Sequence, residues 1–95
     1  MPTYTDPIST CLPNPKWPWN HVSHLLADDL PTLHHFAQSI GLKRSWFQNK
    51  STFPHYDLTP NKHKQAIAAG AILLTGKSLL TKFQQLRSTY QHPPQ

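Results

Sequence analysis

The stretch Val22-Ser23-His24-Leu25-Leu26-Ala27-Asp28-Asp29-Leu30-Pro31-Thr32-Leu33-His34-His35-Phe36-Ala37-Gln38-Ser39-Ile40-Gly41 decides the fold class. Its first part, Val22 to Ala27, is a short, mostly apolar run that reads as a strand. Asp28 and Asp29 then offer a helix N-cap, with Pro31 inside the first turn. Leu30, Leu33, Phe36, Ala37 and Ile40 follow at helical spacing, and Gly41 is a natural residue just past a helix end. The stretch therefore predicts a strand over 22–27 and a helix over 29–40. On that helical wheel His35 faces away from the apolar stripe. His34 lies on its flank, within reach of a site edge.

Upstream, Pro2 to Asp6 reads as a first strand ended by Pro7. Residues 7–20 hold Pro7, Pro13, Pro15 and Pro18 and form a Pro-rich loop, with Trp17-Pro18-Trp19 as an aromatic clamp packed on the domain. Downstream, Leu42 to Gln48 is a helical turn or loop and Asn49 to Pro54 is loop. Phe53 to Leu58 leads into another short strand. Thr59-Pro60 restarts a helix, by a cap followed by proline, that runs to Ala69 and stops at Gly70. Ala71 to Leu74 is an apolar strand. Residues 77–90 form a last helix, with Leu79, Leu80, Phe83, Leu86 and Tyr90 on one side. Alternating strands and helices predict an α/β fold: a single small domain over residues 1–92, with a C-terminal tail over 93–95. The expected architecture is a short, partly parallel sheet of three to four strands, packed with about three helices.

The 95 residues carry nine Lys and Arg against four acids, a net charge of +5 with seven His neutral. All four acids are Asp, and Glu is absent. A basic balance favours anionic partners. The cations are scattered and form no block, so a nucleic-acid-binding tail is not expected. No apolar run approaches the roughly 20 residues of a membrane span. No secretory leader is visible, and the single Cys11 excludes an internal disulfide or a multi-cysteine zinc site, so a cytoplasmic location is expected.

Several groups of residues carry candidate chemistry. On a strand, residues two apart share a face, so His55 and Asp57 stand side by side and Tyr56 points the other way. A carboxylate beside an imidazole orients it for proton transfer or builds part of a metal site. His24 lies on a strand that ends at Asp28 and Asp29, and Asp6 ends another strand at the same edge. Asp6, His24, Asp28 or Asp29, His55 and Asp57 thus form one conceivable cluster. Lys43-Arg44-Ser45-Trp46-Phe47-Gln48 sets cations beside aromatic rings, which suits a phosphate next to a stacked base. Lys62-His63-Lys64 brings cations to a helix start. Thr75-Gly76-Lys77-Ser78 only imitates the end of a phosphate-binding loop, because the required earlier glycine is replaced by Ala71. The two histidines of His21-Val22-Ser23-His24 face opposite sides of a strand and are not a zinc pair.

The order Tyr4-x-Asp6, Trp17-Pro18-Trp19, His24-Leu25, Asp28-Asp29, Leu33-His34, Phe36-Ala37, Gly41-Leu42, Trp46-Phe47-Gln48, His55-Tyr56-Asp57 and Ala66-Ile67-Ala68-Ala69-Gly70-Ala71 resembles a small bacterial and phage family, catalogued as domain of unknown function 4031. The resemblance covers roughly residues 4 to 80, and its His-Tyr-Asp and Trp-Phe-Gln triplets are fairly specific. It implies that the polar residues above are family features and implies little about activity. The sequence departs from the family near His63, where an Arg is expected in many relatives. That departure weakens any claim that a fixed guanidinium at this position is essential.

The functional expectation is a protein that handles a nucleotide or phosphodiester. Its best form is a small hydrolase that cleaves a nucleotide signal, cyclic nucleotides included, and serves as a phage counter-defence protein. His55, Asp57, His24 and Asp6 are the expected catalytic residues. Arg44, Trp46, Gln48, Tyr56, Lys64 and His34 are the expected ligand-binding ones. No cofactor is expected: a divalent metal on Asp6, His24, His55 and Asp57 ranks below metal-free acid-base chemistry. The alternatives are a module that sequesters the nucleotide intact, or a protein-interaction domain using the Trp17-Pro18-Trp19 loop. A homo-oligomer fits the small core.

Overall fold

A seven-residue strand organises the molecule. In the computed structural model, which describes residues 2–49 and 53–90, this strand, β3 (His21–Ala27), is paired along both edges. On one edge lie β1 (Thr3–Thr5) and β2 (Ser9–Thr10), end to end and both antiparallel to it. On the other edge lies β5 (His55–Leu58), followed by β4 (Phe47–Gln48). The last strand, β6 (Ile72–Leu73), runs parallel to β1. The sheet thus has six strands in the order β4-β5-β3-β1-β6, with β2 joined to β3. It is α/β and partly parallel, as expected, but larger than three to four strands. The additional strands, β2 and β4, are only two residues long, too short to show any alternation.

Local chemistry accounts for the helices. In α1 (Leu30–Ser39) the Asp29 carboxylate accepts the Thr32 N–H at 2.8 Å, and Pro31 occupies the first turn. That cap holds the Asp29 carboxyl below its ordinary value. Gly41, at φ 84°, lets the chain leave the helix in the left-handed region. In α2 (Pro60–Ala68) the Thr59 hydroxyl accepts the Lys62 N–H at 3.2 Å. Lys62 Nζ, in turn, donates to the Ile40 carbonyl at the end of α1, at 2.7 Å. Only Leu74 and Thr75 separate β6 from α3 (Gly76–Tyr90), which leaves no room for a phosphate-binding loop. The predicted tail over 93–95 lies outside the described residues, as does the middle of the predicted loop over 49–54.

The two faces of the sheet are unequal. α1 and α2 cover one face and enclose the main core of Leu25, Ala27, Leu33, Ala37, Leu58, Tyr56 and Ala66. α3 covers part of the other face, where Leu86, Phe83 and Tyr90 meet Tyr4 and Leu26. Tyr90 donates its hydroxyl to the Ala27 carbonyl at 2.8 Å, and burial, followed by the charges of Asp29 and Asp28, pushes its pKa up to about 12. Lys82 bonds Asp28 at 3.2 Å and sits 4.2 Å from the centre of the Tyr4 ring. Beyond that contact the second face is open, and the polar cluster lies there.

Candidate functional site

A break in the ladder builds the cluster. The β1–β3 register pairs Thr5 with Leu25, so Asp6 would come next to His24. Pro7 has no N–H and ends the pairing. The Asp6 side chain replaces the lost ladder partner: Oδ1 accepts the His24 backbone N–H at 2.7 Å, and Oδ2 meets His24 Nδ1 at 2.7 Å. A carboxylate can only accept, so Nδ1 of His24 carries the proton and Nε2 is the basic nitrogen. On the other edge of β3, His24 stands opposite Asp57. Asp57 Oδ1 lies 3.7 Å from His24 Nε2 and 3.3 Å from His55 Nε2. His55 directs Nδ1 to the Phe53 carbonyl at 3.2 Å. The two imidazoles meet edge to face, 5.0 Å apart. Asp6, His24, His55 and Asp57 are therefore contiguous.

The cluster is sheltered without being sealed. Its side-chain exposures run from 12% for Asp6 to 33% for His24. Burial lowers the His24 pKa, but the Asp6 hydrogen bond and the charges of Asp6 and Asp57 outweigh it, and the net shift is upward from 6.5. Phe53 packs edge to face against His55 and stacks on Phe83 of α3, with 5.1 Å between the phenyl centres. Through this contact the helix braces the site.

Asp57 also lines a cleft of about 610 Å³, walled by Trp17, Trp19, Trp46, Gln48, Lys16 and Lys62 among others. That volume falls within the range of about 300–1,000 Å³ common for small-ligand sites. Asn14 shapes its outer wall: its side chain accepts the N–H groups of Lys16 and Trp17, both at 2.9 Å. Trp17 donates Nε1–H to the His21 carbonyl at 3.1 Å and packs edge-on to Trp19, 4.7 Å away. Trp46, 47% exposed, also lines the cleft. A second depression of about 460 Å³, at Thr3, Pro31, Thr32, His35 and Phe36, contains no member of the cluster.

The other expected site residues scatter. Asp28 and Asp29 do not join the cluster: Asp29 caps α1, and Asp28 pairs with Lys82 and Tyr4. Tyr56 points to the opposite face of the sheet, as alternation requires, and its hydroxyl meets His34 Nδ1 at 2.8 Å. There His34 packs on Phe47, and burial, followed by the Arg44 charge, lowers its pKa. Arg44 is exposed with its guanidinium 5.7 Å from the centre of the Phe47 ring. Lys64 is exposed on α2, in the layer on the far side of the sheet from the cluster. Of the predicted ligand-binding residues, Trp46 and Gln48 line the cleft.

Two features escaped the sequence reading. His63 is not a surface cation. It is buried, with Nδ1 at 2.8 Å from Ser23 Oγ and 3.3 Å from Thr5 Oγ1, and burial lowers its pKa despite the nearby Asp6 charge. Its spacing of three from the buried Ala66 was the available signal. Lys16 entered the reading only as a scattered cation, and Asn14 did not figure at all.

The fold and site define a small α/β domain whose His/Asp cluster borders an indole-walled cleft. The chain belongs to the family described as Protein of unknown function (DUF4031), which matches residues 11–86. Neither the comparison with curated proteins nor that with solved structures returned a match. Among the described residues, no helix is long and apolar enough to cross a membrane.

Proposed function

We propose that this domain binds a nucleotide in the cleft and hydrolyses a phosphoester bond at the His/Asp cluster. One observation carries the reading: Asp57 belongs to both places. Its carboxylate lies within 3.3 Å of His55 and 3.7 Å of His24, and the same residue lines the cleft. Three indoles supply faces on which a base can stack. Lys16 supplies positive charge at the same wall for a phosphate. The basic nitrogens of His24 and His55 lie where they can turn water into a nucleophile. Cyclic nucleotides are the first substrates to test, because their diester has no terminal phosphate and is opened by a single attack.

The test is incubation with a panel of mono-, di- and cyclic nucleotides, with and without divalent cations, followed by chromatography. The expected result is loss of one parent peak and gain of its hydrolysis product, with no turnover in a folded His55→Ala variant. Recovery of intact nucleotide only after denaturing the protein would replace hydrolysis by sequestration. Absence of binding across the panel would overturn the nucleotide reading altogether.

A further inference from the structure

We infer that His24, His55 and Asp57 form a binding site for a first-row divalent transition-metal ion of the Zn²⁺ kind. The inference rests on the donor geometry and is independent of the identity of the substrate.

Each of the three residues offers one donor atom, and the three atoms lie within 4.8 Å of one another. Their spacing is informative. Two ligands at about 2.0–2.1 Å from a tetrahedral centre stand about 3.4 Å apart. The separations from Asp57 Oδ1 are 3.3 Å to His55 Nε2 and 3.7 Å to His24 Nε2. Both exceed the usual 2.7–3.2 Å, roughly, of an N–H···O hydrogen bond. Both separations fit two ligands of one ion, and the third pair of atoms lies within 4.8 Å.

The outer contacts agree. A metal-binding imidazole ordinarily gives its second N–H to a carboxylate or a backbone carbonyl, which fixes the ring and makes the ligating nitrogen more basic. His24 gives Nδ1–H to Asp6 at 2.7 Å, and His55 directs Nδ1 to the Phe53 carbonyl at 3.2 Å. Both partners only accept, so each ring sets Nδ1 on an acceptor and presents Nε2 towards the Asp57 carboxylate. A merely structural ion pair needs one imidazolium and one carboxylate. It does not need two imidazoles held in the same tautomer around one oxygen. The imidazole-rich donor set favours Zn²⁺, Co²⁺ or Fe²⁺ over Mg²⁺ and Ca²⁺, which prefer oxygen ligands.

The site is also placed to be useful. The residues come from neighbouring strands, β3 and β5, so the sheet register fixes their spacing. Asp57 reaches the cleft wall, so a bound ion borders the space available to a ligand. A Zn²⁺-type ion with three protein ligands keeps a position for water and lowers the pKa of that water to about 7. With the ion bound, the two Nε2 lone pairs are ligands, and the ion would activate the water in place of the free imidazoles.

The experiment uses chelator-treated full-length protein and Zn²⁺ alone, measured by titration calorimetry at pH 7.5. Co²⁺ serves as a coloured probe of coordination. One ion per chain should bind with micromolar or tighter affinity, Co²⁺ should give the intense visible bands of a tetrahedral site, and Mg²⁺ should not compete. His24→Ala and His55→Ala should each lose at least 100-fold in affinity, Asp6→Asn should lose about 10–100-fold, and the exposed His35→Ala should lose nothing. Should a cluster variant fail to fold, NMR on the wild type decides: Zn²⁺ must move the Nε2 signals of His24 and His55 and leave those of His63 in place. Binding no tighter than millimolar, or unchanged affinity in a folded His55→Ala, overturns the proposal. Tight Zn²⁺ binding without turnover of any nucleotide would keep the metal site and sink the hydrolase.

Discussion

Asp6→Ala tests how far the cluster is part of the fold itself. Asp6 does two jobs in one carboxylate, accepting the His24 backbone N–H and the His24 ring N–H, both at 2.7 Å. A hydrogen bond to a charged group contributes about 1.5–3 kcal/mol. Water reaches the His24 side chain, which is 33% exposed, and partly replaces the ring bond. The backbone N–H sits in a strand with no ladder partner to take over. Together the loss should be about 2–4 kcal/mol, a large share of the roughly 5–14 kcal/mol expected for a domain of this length. For such a domain the melting temperature should fall by about 10–20 °C. Asp6→Asn keeps one acceptor oxygen and should cost about half as much. The assay is urea denaturation of metal-free protein at pH 7.5, with the slope checked for constancy. The His24 titration, followed by NMR, should move downward in both variants, because Asp6 is what raises it. An Asp6→Ala protein within about 0.5 kcal/mol of wild type, with the His24 titration unmoved, would refute the account of Asp6 as a ladder substitute.

Four further outcomes are expected. Trp46→Ala should change stability by less than about 1 kcal/mol, since the ring is half exposed, yet weaken nucleotide binding by about 5–100-fold through loss of one stacking face, read by fluorescence titration. His63 has a folded pKa below 6.5, so the unfolded chain binds more protons. Its contribution is therefore full above about pH 6.5 and lost as the pH falls below that. The stability difference between wild type and His63→Asn should accordingly shrink between pH 7.5 and 5.5 in urea titrations. Gly41→Ala should destabilise by about 1–2 kcal/mol, because φ is 84° and the added Cβ would meet Lys62 Nζ at 3.1 Å, and thermal melts should show it. Phe83→Ala should cost about 1–3 kcal/mol and, by unstacking Phe53, broaden the His55 NMR signals more than those of His63.

What could be read in the sequence follows from the range of the physics involved. Helix ends are decided by a few adjacent residues, so Asp29, Thr59-Pro60 and Gly41 marked them correctly. Alternation along a strand is equally local, which is why His55 and Asp57 could be set on one face and Tyr56 on the other. The two-residue strands β2 and β4 have no period to detect. The cleft was hidden for another reason. Its walls come from a loop closed by the Asn14 side chain and from a short turn at Arg44–Trp46, and only tertiary packing brings Trp17 and Trp46 to one space. The Lys62-His63-Lys64 triplet misled because three basic residues in a row look like solvated surface. On the helix they point in different directions: Lys62 ties down α1, His63 enters the core and Lys64 faces solvent.

The location of the cluster follows from a competition for one face of the sheet. Alternation puts His24, Leu26 and Asp28 of the central segment on the same side, and α3 takes only part of it. The helix is held by Lys82 on Asp28, by Leu86 near Leu26 and by Tyr90 on the Ala27 carbonyl. Each of these anchors engages the C-terminal end of β3, so His24 is left partly exposed. Apolar residues there would leave an exposed patch, the usual cause of aggregation. This chain instead places two imidazoles and two carboxylates at that point, satisfies the inner nitrogens with Asp6 and the Phe53 carbonyl, and turns the outer ones to Asp57. Solubility alone would be met by any solvated lysine or serine. Both rings set Nδ1 on an acceptor and Nε2 towards Asp57, and this shared arrangement is what the Zn²⁺ titration tests against a plain imidazole–carboxylate network.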